Sequence, residues 1–173
     1  RIEIIENNPS LKLTNHQELL NQYAILYELN RENEGVLILD DLIRKDSLLT
    51  NDLKRQVYSA RGIYDFYQND FSSAISNYKK SLENVKVLKA FDKDELLANS
   101  YSNIAEAYII LKEFDTARIY LDSAKGQNFE KLPADYQRNI LKYELKLAND
   151  NKQSLATVEA ELDRLLDNQN KSF

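Results

Sequence analysis

The side chains that offer acid–base chemistry in this sequence are mainly carboxylates. They occur as a pair at Asp40-Asp41 and again around Asp92, Asp94 and Glu95. Two carboxylates on one site can serve as the acid and the base of a hydrolase. Carboxylates also cap helices and cover solvated helix faces, and we assign these residues to that structural role.

The sequence contains few residues or motifs that could support nucleophilic or metal-dependent catalysis. His16 is the one histidine, and cysteine is absent, which excludes histidine clusters, thiolate metal sites and cysteine nucleophiles. We expect His16 at the surface, near the start of the first helix. Ser59, Ser102 and Ser123 have no nearby histidine to activate them. No HExxH, glycine-rich phosphate loop or GxSxG motif is present. The sequence therefore predicts a non-enzymatic protein without a cofactor or metal, and a catalytic or small-molecule-binding helical domain is a minor alternative.

The composition narrows the class of partner. The chain has 173 residues, a net charge of −5 and scattered Lys and Arg, so we expect no nucleic-acid binding. Its longest apolar runs span only a few residues and no signal peptide is visible, so we expect no membrane contact. The absence of cysteine leaves a cytoplasmic and a periplasmic location equally open. Because Met is absent and the chain starts at Arg1, we interpret it as a processed chain or an excised part of a larger protein.

Apolar residues recur at helical spacing along almost the whole chain, and only 3 Gly and 2 Pro are present. This pattern predicts an all-α protein. Thr14 with Gln17, and Asp92 with Glu95, indicate capping boxes at two helix starts, and Pro133 suits a first helical turn. The eight predicted helices cover 15–30, 34–46, 51–68, 71–88, 94–111, 114–126, 134–149 and 152–167.

The two central helix pairs share a pattern of large and small residues. The first reads Tyr58-x2-Arg61-Gly62, then Phe71-x2-Ala74-x3-Tyr78-x2-Ser81; the second reads Tyr101-x2-Ile104-Ala105-x2-Tyr108, then Phe114-x2-Ala117-x3-Leu121-x2-Ala124. The pattern resembles the tetratricopeptide repeat, in which small residues let the two helices of a hairpin approach closely. An unrelated helical bundle is the alternative interpretation.

Two features depart from that repeat. Asp65 stands where an aromatic residue is expected, and the usual closing proline is missing from the central pairs. The equivalent small residues Gly35, Ala74, Ala117 and Ala156 are 39, 43 and 39 residues apart by subtraction, longer than the usual ~34.

The resemblance implies one domain over 1–173, a right-handed α-α superhelix of about four antiparallel hairpins. We expect these hairpins at 15–46, 51–88, 94–126 and 134–167, with 1–13 either a tail or the end of a preceding repeat. In this family the first helices of successive hairpins line a concave groove. Carried over by register, the groove residues are Gln56, Ser59, Ile63, Phe66, Tyr67, Asn99, Ser102, Glu106, Ile109 and Ile110.

These observations predict a protein–protein interaction module that binds a partner segment in the groove. It would belong to a larger regulatory or signalling protein, since the pattern is similar to the helical-repeat regions of bacterial transcription regulators and sensor kinases. The alternative is a structural scaffold that self-associates, for example as a homodimer, through its convex face or end caps.

Overall fold

The computed structural model describes residues 9–150, together with residues 156, 158–160 and 162–164. Within these residues all regular structure is helical and there is no β-strand, as the sequence predicts. Over residues 9–150 the helices are α1 (Pro9–Glu28), α2 (Glu32–Arg44), α3 (Asn51–Tyr67), α4 (Phe71–Val87), α5 (Lys93–Ile110), α6 (Phe114–Lys125) and α7 (Ala134–Asp150). Short 3-10 turns at Asp46–Leu48 and Phe129–Lys131 follow α2 and α6.

The predicted helix bounds agree with the structure to within two residues, except at the start of α1. That helix begins at Pro9, six residues before the expected position. Proline suits the first position of a helix, because its missing N–H would have no partner there. The expected capping box at Thr14 is therefore wrong, since Thr14 lies inside the helix. The expected tail at 1–13 is also wrong over residues 9–13, which belong to α1.

At two other helix starts, a side chain caps the first turn by accepting a hydrogen bond from a backbone N–H. The hydroxyl of Thr50 accepts a hydrogen bond from the Leu53 N–H at 3.3 Å, and the carboxylate of Asp70 accepts one from the Ser73 N–H at 3.1 Å. Asp92 stands at the N-cap of α5 as predicted, but its side chain makes no capping hydrogen bond, so the predicted box is not formed. The caps at Thr50 and Asp70 satisfy N–H groups that the first helical turn leaves without partners.

Three hairpin turns have the same backbone geometry. Asn30, Asn69 and Lys112 each adopt a left-handed conformation, with φ values of 55°, 61° and 62°. In each turn this residue donates to the carbonyl three residues back, and the next residue donates to the carbonyl five residues back, at 2.8–3.0 Å. Both bonds define the Schellman helix ending. The turn residues are 39 and 43 residues apart by subtraction, the same spacings as the small residues in the sequence.

The chain divides into two compact units between Leu88 and Lys89. In unit 1, α1 packs on α2, α2 on α3 and α3 on α4. One apolar cluster joins the first three helices and the loop after α2, and its buried members are Leu20, Tyr23, Leu39, Leu42, Leu49, Leu53 and Val57.

Helices α3 and α4 pack closely against each other at Gly62. A Cβ atom on this residue would lie 2.6 Å from two ring carbons of Tyr78, which is 5% exposed. Glycine therefore allows the tyrosine ring of α4 to lie against the backbone of α3. Ala74, on the same α4, is fully buried. This contact confirms the expectation that small residues permit close packing, although the partner of Gly62 is Tyr78 rather than Ala74.

A buried charged group takes the place of the aromatic residue that the repeat pattern expects. Asp65 in α3 is 4% exposed and accepts hydrogen bonds from Arg61 at 3.0 Å and Asn77 at 2.8 Å. Arg61 also forms an ion pair with Asp40 of α2. A buried carboxylate needs such partners, because desolvation without them is costly. This network links α2, α3 and α4.

A second polar contact lies at the other end of α3. Asp46, in the turn after α2, accepts hydrogen bonds from Lys54 at 2.7 Å and from the Tyr58 hydroxyl at 2.9 Å. Burial acts to raise the pKa of Asp46, but these two hydrogen bonds outweigh it and hold the pKa below its usual value. Burial and the bond to Asp46 raise the pKa of Tyr58 to about 12.

Unit 2 is built from α5, α6 and α7, and α7 packs against both other helices. One apolar cluster contains Ala105, Ile109, Ala117, Leu121, Tyr143 and Leu147, and another contains Ala98, Ala124, Phe129, Leu132, Ile140 and Leu141. The buried carboxylate of Glu144 in α7 pairs with Lys125 of α6 at 3.0 Å and with Arg118 at 3.6 Å.

The predicted final helix, 152–167, falls largely outside the described residues. Within it, residues 156, 158–160 and 162–164 are helical, and Val158 and Leu162 pack on the second cluster of unit 2. Among the helices that the structure describes, none combines the length and the apolar character needed to cross a membrane.

Candidate functional site

A surface groove in unit 1 separates α1 from α3. It contains a cavity of about 380 Å³, within the range typical of ligand sites. We call this cavity the groove cavity. Its lining residues come from the two helices alone: Tyr23, Ala24, Tyr27 and Glu28 of α1, and Arg55, Gln56, Ser59, Ala60 and Ile63 of α3.

Two tyrosines on successive turns of α1 form an aromatic wall of the groove cavity. The rings of Tyr23 and Tyr27, four residues apart, have centroids 6.2 Å apart at an angle of 41°. Tyr23 is held from behind by α2, since a Cβ on Gly35 would lie 3.0 Å from its ring. Burial raises the pKa of Tyr23 to about 12, with smaller contributions from Tyr27 and Glu32. The hydroxyl of Tyr23 therefore stays protonated at neutral pH.

The opposite wall is fixed by polar contacts at the start of α3. Asp52 accepts hydrogen bonds from Arg55 at 2.7 and 3.0 Å and from Gln56 at 2.9 Å. These bonds occupy the guanidinium of Arg55, so its charge is balanced by Asp52. Ser59 and Ile63 continue the wall and are half-buried. The groove cavity thus combines apolar surface with a few oriented polar groups, as binding sites do.

The groove cavity exists because of how the hairpins of unit 1 meet. The α1–α2 hairpin packs on α3 through α2, and the backbones of α1 and α3 are not closely packed. Small side chains, Ala24 and Ala60, line the space between them. The cavity is therefore a consequence of helix packing and is present without any rearrangement.

The five predicted groove residues in α3 lie in three different environments. Gln56, Ser59 and Ile63 line the groove cavity together. Tyr67 is 68% exposed and lines a neighbouring cavity at the end of the same groove. Phe66 is half-buried and packs its ring edge-on against Phe71 at the hairpin turn, with centroids 5.4 Å apart.

In unit 2, three of the five predicted residues keep accessible surface. Asn99 is exposed, and Ile110 is half-buried beside a cavity of about 310 Å³. Glu106 is half-buried and accepts a hydrogen bond from the Tyr143 hydroxyl at 2.8 Å. A groove shared by α3 and α5 stays a prediction.

Ser102 and Ile109 are corrections to the predicted site. Ile109 is 1% exposed and belongs to an apolar cluster of unit 2. Ser102 is 4% exposed, and its hydroxyl donates to the Ala98 carbonyl at 2.8 Å. Both side chains are buried within unit 2, although Ile109 also lines the cavity beside Ile110.

The sequence pattern missed the α1 wall of the groove cavity. The ten predicted groove residues all lie in α3 and α5, and none comes from α1. The available clue was the pair of small residues, Ala24 and Ala60, which leave space between two helices.

His16 also differs from its predicted surface position. It is 6% exposed, because α1 starts at Pro9 and places His16 in the middle of the helix, on the face that carries Leu20 and Tyr23. Among the described residues, no group of three or more His, Asp or Glu side chains is arranged to hold a metal ion.

Comparisons with models of protein families, with curated proteins and with solved structures find no match. The resemblance to the tetratricopeptide repeat accordingly depends on the residue pattern of the two central hairpins.

Proposed function

We propose that the chain is a protein-binding module that holds a segment of a partner protein in the groove between α1 and α3. The observation that carries the proposal is the groove cavity, which has an aromatic wall, a polar wall and about 380 Å³ of space. A preformed groove binds an extended or helical segment with little ordering of its own side chains. Tyrosine-rich surfaces supply large contact areas at low entropic cost.

We further propose that the hairpins form a tetratricopeptide-like superhelix within a larger regulatory or signalling protein. Three Schellman turns at spacings of 39 and 43 residues support a repeated unit. Gly62 and Ala117, which the pattern identifies as close-packing positions, are both buried. In such arrays the first helix of each hairpin faces the groove, which is the position of α1 and α3.

A display selection tests the binding function. The immobilised full chain is used to select peptides from a random-peptide library, and the selected peptides are titrated against the protein by isothermal calorimetry. Ala24→Trp fills the groove cavity from an exposed position of α1. Gln22→Trp is the matched control, because Gln22 is also exposed on α1 but is not among the residues that line the cavity.

The proposal predicts that Ala24→Trp weakens peptide binding about tenfold or more, because the indole occupies the space of the ligand. Gln22→Trp should bind with the wild-type affinity. Equal affinities for both variants, or a library that yields no specific peptide, would overturn the proposal. Circular dichroism of both variants verifies that they are folded.

Self-association is the second candidate function, favoured by exposed apolar side chains outside the groove cavity. Ile25 near the end of α1 and Leu29 just after it, four residues apart, are 57% and 58% exposed and form one stripe. If this stripe mediates a dimer, the mass measured by light scattering rises with concentration, and Ile25→Lys abolishes the rise. A monomer mass at every concentration contradicts it.

A further inference from the structure

A second cavity adjoins the groove cavity at the ends of α1 and α3. We call it the tyrosine cavity; its volume is about 360 Å³, and it is lined by Tyr27, Glu32, Asn33, Tyr64, Tyr67 and Gln68. Tyr27 lines both cavities, so the two are adjacent within unit 1. A segment that lies in the groove cavity therefore reaches the tyrosine cavity with its neighbouring residues.

The tyrosine cavity carries negative charge. Glu32 lines it, and no lysine or arginine is among its lining residues. Arg31, the neighbour of Glu32, points its guanidinium to Glu34 through two hydrogen bonds of 2.7 and 2.6 Å. Neither Glu32 nor Glu28 of the groove cavity has an ion-pair partner among the residues that the structure describes.

The acidic and aromatic groups lie together in the lining of the tyrosine cavity. The pKa of Tyr27 is raised by burial first, then by Tyr67 and by Glu32. A cation placed among these groups would be stabilised by the carboxylate of Glu32 and by the ring faces of the tyrosines.

The ring of Tyr64 already makes a cation–π contact with an arginine of the same unit. The guanidinium of Arg61 lies 5.5 Å from the ring centre of Tyr64. Arg61 is itself paired with Asp40 and Asp65, so its charge is more than balanced. Tyr27 and Tyr67 are 38% and 68% exposed and offer their rings to a ligand.

We propose that the tyrosine cavity binds the cationic end of a lysine or arginine side chain from the partner segment. This inference rests on the proposed function and adds the chemistry of the partner: an apolar residue for the groove cavity, with a basic residue beside it. Aromatic rings combined with a carboxylate favour a cation over a neutral side chain of similar shape.

The selected peptides provide the test. Each basic residue of a peptide is replaced in turn by an uncharged analogue, norleucine for lysine or citrulline for arginine, and both forms are titrated against wild type and Glu32→Gln. The comparison forms a double-mutant cycle, which separates the charge interaction from general changes in binding. Glu18→Gln is the matched control, since it removes the same charge from an exposed position of α1 outside both cavities, whereas Glu34→Gln would free the guanidinium of Arg31 beside Glu32.

The inference predicts that wild type prefers the basic peptide at one position, and that Glu32→Gln reduces this preference about two- to fivefold. Tyr67→Ala should reduce it similarly, and Glu18→Gln should leave it unchanged. Peptides that bind the groove without a basic preference, or a preference equal in Glu32→Gln and wild type, would overturn this inference and leave the proposed function standing. Absence of any specific peptide would overturn both.

Discussion

The contact between Gly62 and Tyr78 yields the sharpest prediction about the fold. In Gly62→Ala the new Cβ would lie 2.6 Å from Cδ1 and Cε1 of Tyr78, and 3.2 Å from its Cγ. Carbon atoms pack favourably at about 3.5–4.0 Å, so the whole ring must move. Tyr78 is 5% exposed and has little room to do so. We expect this overpacking to cost about 1–3 kcal/mol of unfolding free energy.

The helix propensity of alanine opposes this loss of stability. Alanine is favoured over glycine inside a helix by about 1 kcal/mol, so Gly62→Ala should be destabilised by a net ~0–2 kcal/mol. Gly126→Ala is the matched control, because the atoms nearest to its new Cβ are 3.4 Å away and its backbone is right-handed helical. That variant should gain up to about 1 kcal/mol.

Urea unfolding followed by circular dichroism measures both changes. Because the helical preference favours alanine in both variants, the difference between them, about 1–3 kcal/mol, reports the steric clash. Combining Gly62→Ala with Tyr78→Leu should cost less than the sum of the two single changes, since the smaller side chain relieves the contact. A Gly62→Ala protein that is stabilised as much as Gly126→Ala would refute the packing described for α3 and α4.

Three further predictions concern the turns and the polar networks. Lys112→Gly should raise the unfolding free energy by about 1 kcal/mol, because the φ of 62° is unfavourable for lysine. Asp65→Leu should lower it by about 3 kcal/mol, because its buried hydrogen-bond partners lose their acceptor. Asp46→Asn should destabilise the protein at neutral pH and progressively less as the pH falls below ~4. Burial acts to raise the pKa of Asp46, but hydrogen bonds from Lys54 and Tyr58 hold it below its usual value, so the stability it contributes is lost on protonation.

Each of these predictions has a control. Lys112→Ala removes the lysine but keeps the Cβ, so equal stabilities of the alanine and glycine variants would contradict the strained turn. Asp115→Leu removes an exposed carboxylate and should leave stability nearly unchanged, so a loss as large as that of Asp65→Leu would argue against the buried network. For Asp46→Asn, urea titrations at several pH values give the difference from wild type, and a difference that is constant with pH would contradict the assigned pKa.

The sequence was sufficient to locate most helices and turns. Apolar periodicity placed α3 and α4 to within one residue, because those helices bury a continuous stripe and end at polar turns. The polar stretches at Asn30, Asn69 and Lys112 predict turns between helices, and all three residues adopt the left-handed conformation there. Asparagine tolerates this conformation, whereas for lysine it is unfavourable.

Features that depend on residues far apart in the chain were not predictable. Asp65 was expected to mark a weak match to the repeat, yet it is buried because Arg61 and Asn77 provide its hydrogen-bond donors. Ile109 was assigned to the groove from helical register alone, and it is buried because α6 and α7 cover it. Helical period defines the faces of a helix, but only the packed neighbours decide which face is covered.

The candidate site was likewise only partly predictable, because helical period defines the faces of α3 but not the distance to its neighbour α1. Gln56, Ser59 and Ile63, which the register assigns to the groove, line one cavity together. The facing wall depends on how far α1 stands from α3, and that distance follows from the packing of α2 between them. Tyr27 of α1 is the residue shared by both cavities.

The central claim is that the groove between α1 and α3 holds a partner segment, and mapping a bound peptide by NMR tests it most directly. Backbone amide shifts of the isotopically labelled chain are recorded as a selected peptide is added. The account predicts that the saturating shifts concentrate at the residues of α1 and α3 that line the groove and tyrosine cavities, including Tyr27, Ser59 and Tyr67. Shifts confined to unit 2, or to the Ile25 and Leu29 stripe of α1, would contradict it.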